Sequence, residues 1–364
     1  MPAAPNRGLI EINGGIINMA DRGVSTRKTA QSSPSGARIL FHPNANTPQG
    51  RLTADQRRWE FITALDRLVA DFRAGEIPYH IVARLFDAAN RVLPDGNAEE
   101  IENLRALVAA HPINSFVRQC PLTRCAQDQP RGQAGDPALL DFIYRHPDTR
   151  AAVMAAGTIG QSILLHNLDT PMAGALRARR TIVASRIATV AGTAPRARIL
   201  SLRCGYAREL ELVPDAALAR VENFTGVDLD AAGLGVASQY LPATDHLEPI
   251  HAEWDAFIAS PYPRGFDLIY VPGLYERLND RACRRLTKDL FRRLNRGGRL
   301  LIGNVLPDHP NRGYMELFLQ WSPVHRDRDQ LTALARGIAT SGIARQDVFA
   351  EPNRCIGFLE LTRA

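Results

Sequence analysis

Ile199-Leu-Ser-Leu-Arg-Cys-Gly-Tyr-Ala-Arg-Glu209 is an apolar run that stops at a glycine turn. Downstream, Phe224-Thr-Gly-Val-Asp-Leu-Asp230 is a second apolar run that closes on an acid. A buried strand ending in a small-residue turn lets backbone N–H groups come close to a ligand, and an acidic residue closing the next strand can accept both hydroxyls of a ribose. Asp228 is placed for that role. A dinucleotide fingerprint needs three glycines as G-x-G-x-x-G, whereas Arg203-Cys-Gly205-Tyr-Ala207 has one. The turn therefore suits a nucleoside ligand that carries no pyrophosphate.

Around this stretch the chain alternates strand and helix. Strands are expected at 198–202, 224–228, 249–254, 266–271, 299–305, 345–350 and 355–361. Such alternation implies a parallel sheet with helices on both faces. The turn at Glu351-Pro-Asn353 is too short for a crossover, so the last two strands should be antiparallel. Seven strands with one reversed near the edge make a Rossmann-like α/β sheet of the class I methyltransferase type.

Upstream the pattern is helical. Thr53-Ala-Asp-Gln56 reads as a capping box, and Trp59, Ile62, Leu65, Val69 and Phe72 recur at helical spacing. Further stripes are Ile81, Val82, Leu85, Phe86 and Ala89, then Ile101, Leu104, Leu107 and Val108, with more helix at 137–143, 147–166 and 171–192. The expected organisation is an extended arm over 1–52, a helical cap over 53–192 and a Rossmann-like domain over 193–364. The arm is rich in Gly, Asn, Ser and Pro, with Leu9–Ile12 and Arg38–Phe41 as its only strand-like runs. It either wraps a second copy in a homodimer or stays unordered.

Composition narrows the function. With 364 residues and 45% hydrophobic content the chain can bury a sizeable core. The balance is basic, +6 at pH 7, but the only lysines are Lys28 and Lys288 and the arginines are dispersed, unlike a nucleic-acid face with clustered bases and aromatics. No signal-peptide core and no membrane-length apolar run is present, so a cytoplasmic protein without a membrane partner is expected. Five cysteines without C-x-x-C spacing and nine dispersed histidines favour neither disulfides nor a metal site.

Several segments together resemble a bacterial group of class I S-adenosylmethionine-dependent methyltransferases, that of 3-hydroxypalmitate methyl ester biosynthesis. They are Pro130-Arg-Gly-Gln-Ala-Gly-Asp136, Asp141-Phe-Ile-Tyr144, Arg177-Ala-Arg-Arg180, Cys204-Gly-Tyr-Ala-Arg-Glu209, Gly273-Leu-Tyr-Glu276, Gly297-Gly298, Asn304, and Gly313-Tyr-Met-Glu316 with Trp321. The resemblance covers about residues 120–330 and implies S-adenosylmethionine as cofactor, which agrees with a turn lacking a pyrophosphate cradle. It also implies methyl transfer to a small-molecule acceptor, fatty- or amino-acid-like, in secondary metabolism. The chain departs from the group at Arg203, usually small, at Gln133, usually tyrosine, and at His325-Arg326, usually Tyr-Arg. Arg203 would either pair with the cofactor carboxylate or obstruct the pocket. Two other readings stay open. One is a cyclase that closes the aminocarboxypropyl chain of the cofactor onto its own amine, giving azetidine-2-carboxylate and methylthioadenosine. The other is a silent binding module.

The expected cofactor residues are Ser201, Arg203, Cys204, Gly205, Tyr206, Ala207 and Glu209 on the first turn, with Asp228 and Leu229 closing the second strand. Glu253 and Trp254 are expected beside the adenine, and Pro272, Gly273, Leu274 and Tyr275, followed by Glu276, at the carboxyl end of the fourth strand, where open α/β sheets bind ligands. If the cap folds over the cofactor, Arg131 belongs to the site, Asp136 would hold the methionine ammonium and Tyr144 would face the sulfonium. His325 is a candidate general base because imidazole titrates near neutrality. Each has a plainer alternative: a helix N-cap for Asp228, core packing for Trp254, an interhelical network for Asp136 and Tyr144, and an exposed loop for His325.

Overall fold

The computed structural model describes residues 9–12, 15–18, 53–93, 97–194, 196–240, 247–261 and 264–364. In the arm, Leu9–Ile12 pairs antiparallel with Gly15–Asn18 as a hairpin, a unit separate from Ala54–Ala364. The strand expected at 38–41 and the arm's wrapping lie outside the described residues.

Nine helices come first among the described residues: α1 (Ala54–Ala74), α2 (Pro78–Val92), α3 (Ala98–Ala110), α4 (Ile113–Val117), α5 (Pro121–Asp128), α6 (Pro137–Tyr144), α7 (Arg150–Met154), α8 (Thr158–Leu168) and α9 (Pro171–Thr193). Local chemistry sets their starts. Pro171 occupies the first turn of α9 while the Thr170 hydroxyl caps Ala173 N–H, and Asp136 caps α6 ahead of Pro137 in the same way. The buried stripe of α1 is Phe61, Leu65, Leu68, Val69 and Phe72. Trp59, expected in it, falls on the opposite side of the 3.6-residue period and is 68% exposed. The helix expected over 147–166 is broken, because Pro147–Thr149 forms a 3₁₀ turn and Gly157 separates α7 from α8.

Seven strands then build one sheet: β1 (Ala197–Leu202), β2 (Val221–Asp228), β3 (Leu247–His251), β4 (Phe266–Val271), β5 (Leu294–Val305), β6 (Ile343–Ala350) and β7 (Ile356–Arg363). Their order is β3-β2-β1-β4-β5-β7-β6, parallel except for β7, which runs antiparallel to both neighbours. This is the Rossmann-like class I methyltransferase fold, preceded by helices. β3 ends at His251 rather than Trp254, which instead starts a helix. The later helices are α10 (Asp215–Leu218), α11 (Ala231–Tyr240), α12 (Trp254–Ala259), α13 (Asp280–Phe291), α14 (Arg312–Leu317) and α15 (Arg328–Ala333).

Alternation along the strands feeds two cores. Ile199, Leu268, Tyr270 and Leu301 point into a core shared with the N-terminal helices, whereas Leu200, Ile269, Leu300 and Ile302 meet Leu286 and Leu290 of α13. Both faces are covered, so β1 and β4 read as continuous apolar runs. Among the described residues no helix is long and apolar enough to cross a membrane.

The β6–β7 turn that reverses the last strand is organised by Glu351, which is 1% exposed. Its carboxylate accepts Cys355 N–H at 2.6 Å, Ile356 N–H at 3.1 Å and Asn353 N–H at 2.6 Å. Replacing Glu351 by Ala would strand these donors, so Glu351→Ala should lower the unfolding free energy by about 3 kcal/mol or more, measured by urea denaturation. An unchanged midpoint would mean that the strand reversal does not depend on the carboxylate.

Candidate functional site

The turn after β1 carries three left-handed residues in alternation: Arg203 (φ 63°), Gly205 (φ 53°) and Ala207 (φ 48°). Only Gly205 adopts this region freely; a side chain there costs about 1–2 kcal/mol per residue. Alternation of this sort curls successive N–H groups toward one point, a concavity suited to an anionic or carbonyl oxygen. The strand end of β2 fixes the curl. Arg203 N–H donates to Val227 O at 2.8 Å and Gly205 N–H to Asp228 Oδ2 at 2.8 Å, while Asp228 Oδ1 accepts Asp230 N–H at 3.1 Å. The helix cap that was the plainer alternative for Asp228 is not made, because α11 begins at Ala231 and the carboxylate bonds N–H groups that precede it. A Cβ on Gly205 would also stand 3.2 Å from Pro137 Cβ, at the head of α6.

The helices are clamped to this turn by charge. Arg208 is 3% exposed, and its guanidinium holds Asp141 of α6 through both carboxylate oxygens (2.9 and 2.6 Å), as well as Asp148 (2.9 Å) and Glu211 (3.0 Å). Arg180 of α9 donates to Arg208 O at 2.8 Å and lies over the Tyr144 ring at 5.2 Å. Asp141, His146 and Asp148 bring possible ligand atoms within 4.8 Å of one another, but both aspartates already bond the guanidinium of Arg208, which supplies the cation there.

Between the turn, the cap helices and the end of β4 lies an open cleft of about 740 Å³, partly continuous with solvent. It sits where the sheet order reverses between β1 and β4, the position at which open α/β sheets take ligands. Gly135 (φ 63°) lies under Trp321, where a Cβ would come within 2.6 Å of the indole. The indole N–H donates to Glu276 Oε1 at 3.2 Å. The 3₁₀ turn Tyr275–Arg277 that carries Glu276 is held by Arg326, which is 1% exposed and donates to Tyr275 O (2.8 Å), Leu278 O (2.6 Å) and Asn304 Oδ1 (2.9 Å). Arg277 reaches across to Ala134 O of the cap loop. Five arginines (179, 180, 203, 208 and 277) and three carboxylates (Glu209, Asp228 and Glu276) line the cleft, so it is a positive pocket with a few acceptors.

Of the residues expected at the site, Arg203, Cys204, Gly205, Tyr206, Ala207 and Glu209 line the cleft, as do Asp228, Pro272, Gly273 and Tyr144. Burial pushes the Cys204 thiol well up, and Glu209 is pushed up by burial while accepting the Tyr270 hydroxyl at 2.5 Å. The other expected residues are placed elsewhere. Asp136, 1% exposed, spends its oxygens on Leu139 N–H and Arg131 N–H, as a helix cap does. Arg131 is outside the cleft lining; it donates to the Tyr206 hydroxyl at 3.0 Å, lies over that ring at 5.7 Å and pairs with Asp230 at 3.5 Å. Ser201 is fully buried inside β1, and Leu274 and Tyr275 belong to the second core, with the Tyr275 hydroxyl on Thr287 at 2.9 Å. Leu229 is exposed, Glu253 is an exposed residue preceding α12, and Trp254 packs against the second core. His325 pairs with His309 at 3.2 Å, burial pushes its imidazole down from the ordinary value and that of His309 down to about 3, and neither lines the cleft. Missing from the expected site were the Asp141–Arg208 clamp, Arg179 and Trp321, although all four fall in or next to the segments quoted for the resemblance.

No protein-family model matches the sequence, and no curated protein does. Solved structures do resemble it. A protein of Bordetella parapertussis described as a possible exported protein matches with TM-score 0.50 and 14% identity over 87% of this chain and 99% of that one. CurJ carbon methyltransferase matches with TM-score 0.47 and 12% identity over 85% of this chain and 91% of that one. N-methyltransferase NodS of Bradyrhizobium japonicum WM9, in complex with S-adenosylhomocysteine, matches with TM-score 0.37 and 16% identity over 54% and 89%. These are likenesses of fold, and the first takes in the cap helices together with the sheet.

The clamp makes a test. Arg208→Leu leaves Asp141 buried without its partner, so it should cost about 3–5 kcal/mol of stability. Denaturant midpoints of wild type, Arg208→Leu and the double variant Arg208→Leu/Asp141→Leu measure this. The double variant should regain part of the loss, and equal stability of all three would remove the clamp from the stability of the cap.

Proposed function

We propose that the cleft binds S-adenosylmethionine and that the protein is a methyltransferase acting on a small-molecule acceptor, in the manner of the 3-hydroxypalmitate methyl ester group. The observation that carries this reading is the left-handed turn at the β1/β4 switch point, with Asp228 bonded to Gly205 N–H behind it. A carboxylate offers about four acceptor positions, so Asp228 keeps capacity for a ribose hydroxyl beyond the two N–H groups it already holds. The curled turn has no room for a pyrophosphate-binding glycine pattern but suits a nucleoside with a charged tail. The Arg203 guanidinium forms no hydrogen bond or ion pair with the described residues, and Arg203 lines the cleft, which fits pairing with the cofactor carboxylate.

When bound, the sulfonium supplies a methyl carbon already activated toward displacement. The chain's own residues then have a modest task, which is to orient the acceptor, exclude water and accept a proton where the nucleophile carries one. Tyr144, held by the Arg180 guanidinium above its ring, closes the cap side of the cleft. Trp321 and the Gly135 loop close the side toward β4. The cap, residues 53–192 in this reading, thus acts as the wall against which the acceptor is held over the Rossmann-like domain, residues 193–364.

Binding is the first test. S-adenosylmethionine should protect amides of 200–210 and of 130–145 from hydrogen exchange, and turnover should release S-adenosylhomocysteine rather than methylthioadenosine. Protection confined to the sheet would detach the cap from the site. Asp228→Ala should weaken the cofactor by about 1.5–3 kcal/mol in calorimetric titration, the scale of a hydrogen bond to a charged group.

A further inference from the structure

Three carboxylates line the cleft, and they are not equally committed. Asp228 gives one oxygen to Gly205 N–H and the other to Asp230 N–H. Glu209 accepts the Tyr270 hydroxyl and a hydrogen bond from its own backbone. Glu276 differs. It is 3% exposed, its Oε1 takes the Trp321 indole N–H, and its Oε2 is buried without a hydrogen-bond partner among the described residues. A buried carboxylate oxygen left unmet is costly, and such groups mark places where a ligand completes the bonding.

The surroundings say what kind of ligand. Arg179, 5% exposed, donates to Pro272 O at 3.0 Å and also bonds Tyr144; neither it nor Arg203 forms an ion pair within 4 Å with a described carboxylate, although both, with Arg277, lie near enough for their charges to act on Glu276. Guanidinium groups without a carboxylate within 4 Å and a carboxylate with one unmet oxygen therefore face one cleft. Neither an anion alone nor a cation alone satisfies both, whereas an α-amino-carboxylate group does.

We propose that Glu276 binds the α-ammonium of the cofactor's amino-acid tail, so that the tail rests at the end of β4 between Glu276 and the arginines Arg179 and Arg203. The assignment rests on the reading of the cleft as an S-adenosylmethionine site. It explains why the turn carrying Glu276 is bolted so firmly by Arg326 and Trp321: an ammonium acceptor must be held in place to act on one atom. Burial pushes the Glu276 carboxyl upward, and an ammonium partner would favour its charged form.

The test uses three probes in calorimetric titration of the full chain: S-adenosylhomocysteine, its deaminated analogue, and methylthioadenosine, which lacks the tail. Glu276→Gln keeps the shape and an acceptor for the indole. It should weaken S-adenosylhomocysteine about tenfold or more while leaving methylthioadenosine and the deaminated analogue unchanged. In the wild type, the deaminated analogue should bind as weakly as S-adenosylhomocysteine does to Glu276→Gln. Equal weakening of all three ligands, or loss of all binding in the variant, would give Glu276 a role in building the cleft and overturn the assignment. Unchanged affinity for S-adenosylhomocysteine would overturn it while leaving the cofactor reading intact. Wild type binding none of the three would overturn both.

Discussion

The bond from Gly205 N–H to Asp228 ties the end of β1 to the end of β2, and the rest of the site depends on it. Without it the three left-handed residues of the turn would have no fixed partner. A turn of that shape spends strain at Arg203 and Ala207, which lack the freedom of glycine. The strain is held because the strand ends on either side are themselves buried. Val227 O anchors Arg203 N–H from behind, and Pro137 at the head of α6 fills the space where a Cβ of residue 205 would go. The same contact ties the cap to the turn, so cofactor-side geometry and cap position share one constraint.

Charge carries the second constraint. The net charge of +6 suggests a surface for polyanions, yet the arginines that matter point inward. Arg208 forks onto Asp141, Arg326 spans two carbonyls and an amide, and Arg177 reaches Ile143 O and Leu168 O. A planar guanidinium with five donors can join several backbone carbonyls at once, which a lysine ammonium cannot match in geometry. This is why a chain with two lysines builds its joints from arginine.

The fold was legible where a strand is buried on both faces. β1 and β4 read as continuous apolar runs, the polar first half of β5 hid its start at Leu294, and the short turn before β7 announced the reversal. β3 was weaker because its burial is intermediate, and its end was misplaced by three residues at Trp254. The stretch 147–166 carries helical apolar spacing throughout, yet Gly157 divides it. At the site, the turn residues were legible because they are contiguous. Asp141–Arg208 spans 67 positions and Arg326 reaches Tyr275 across 51, so no local pattern could announce either pairing.

Asp136 shows how a sequence pattern can carry two meanings. Asp-Pro at a helix start is an N-cap signal and also a plausible ammonium partner, and here the carboxylate caps Leu139 N–H, bonds Arg131 N–H and lies outside the cleft lining. Asp136 is 1% exposed and is not among the residues that line the cleft, whereas Asp228, with as many N–H groups bonded, is. Glu276 is the reverse case. It sits on a 3₁₀ turn too short to bury its own bonding needs, so one oxygen is met by Trp321 and the other is left for whatever enters. The accounting of hydrogen-bond partners, more than the identity of the residue, therefore separates a carboxylate that builds the scaffold from one that serves a ligand.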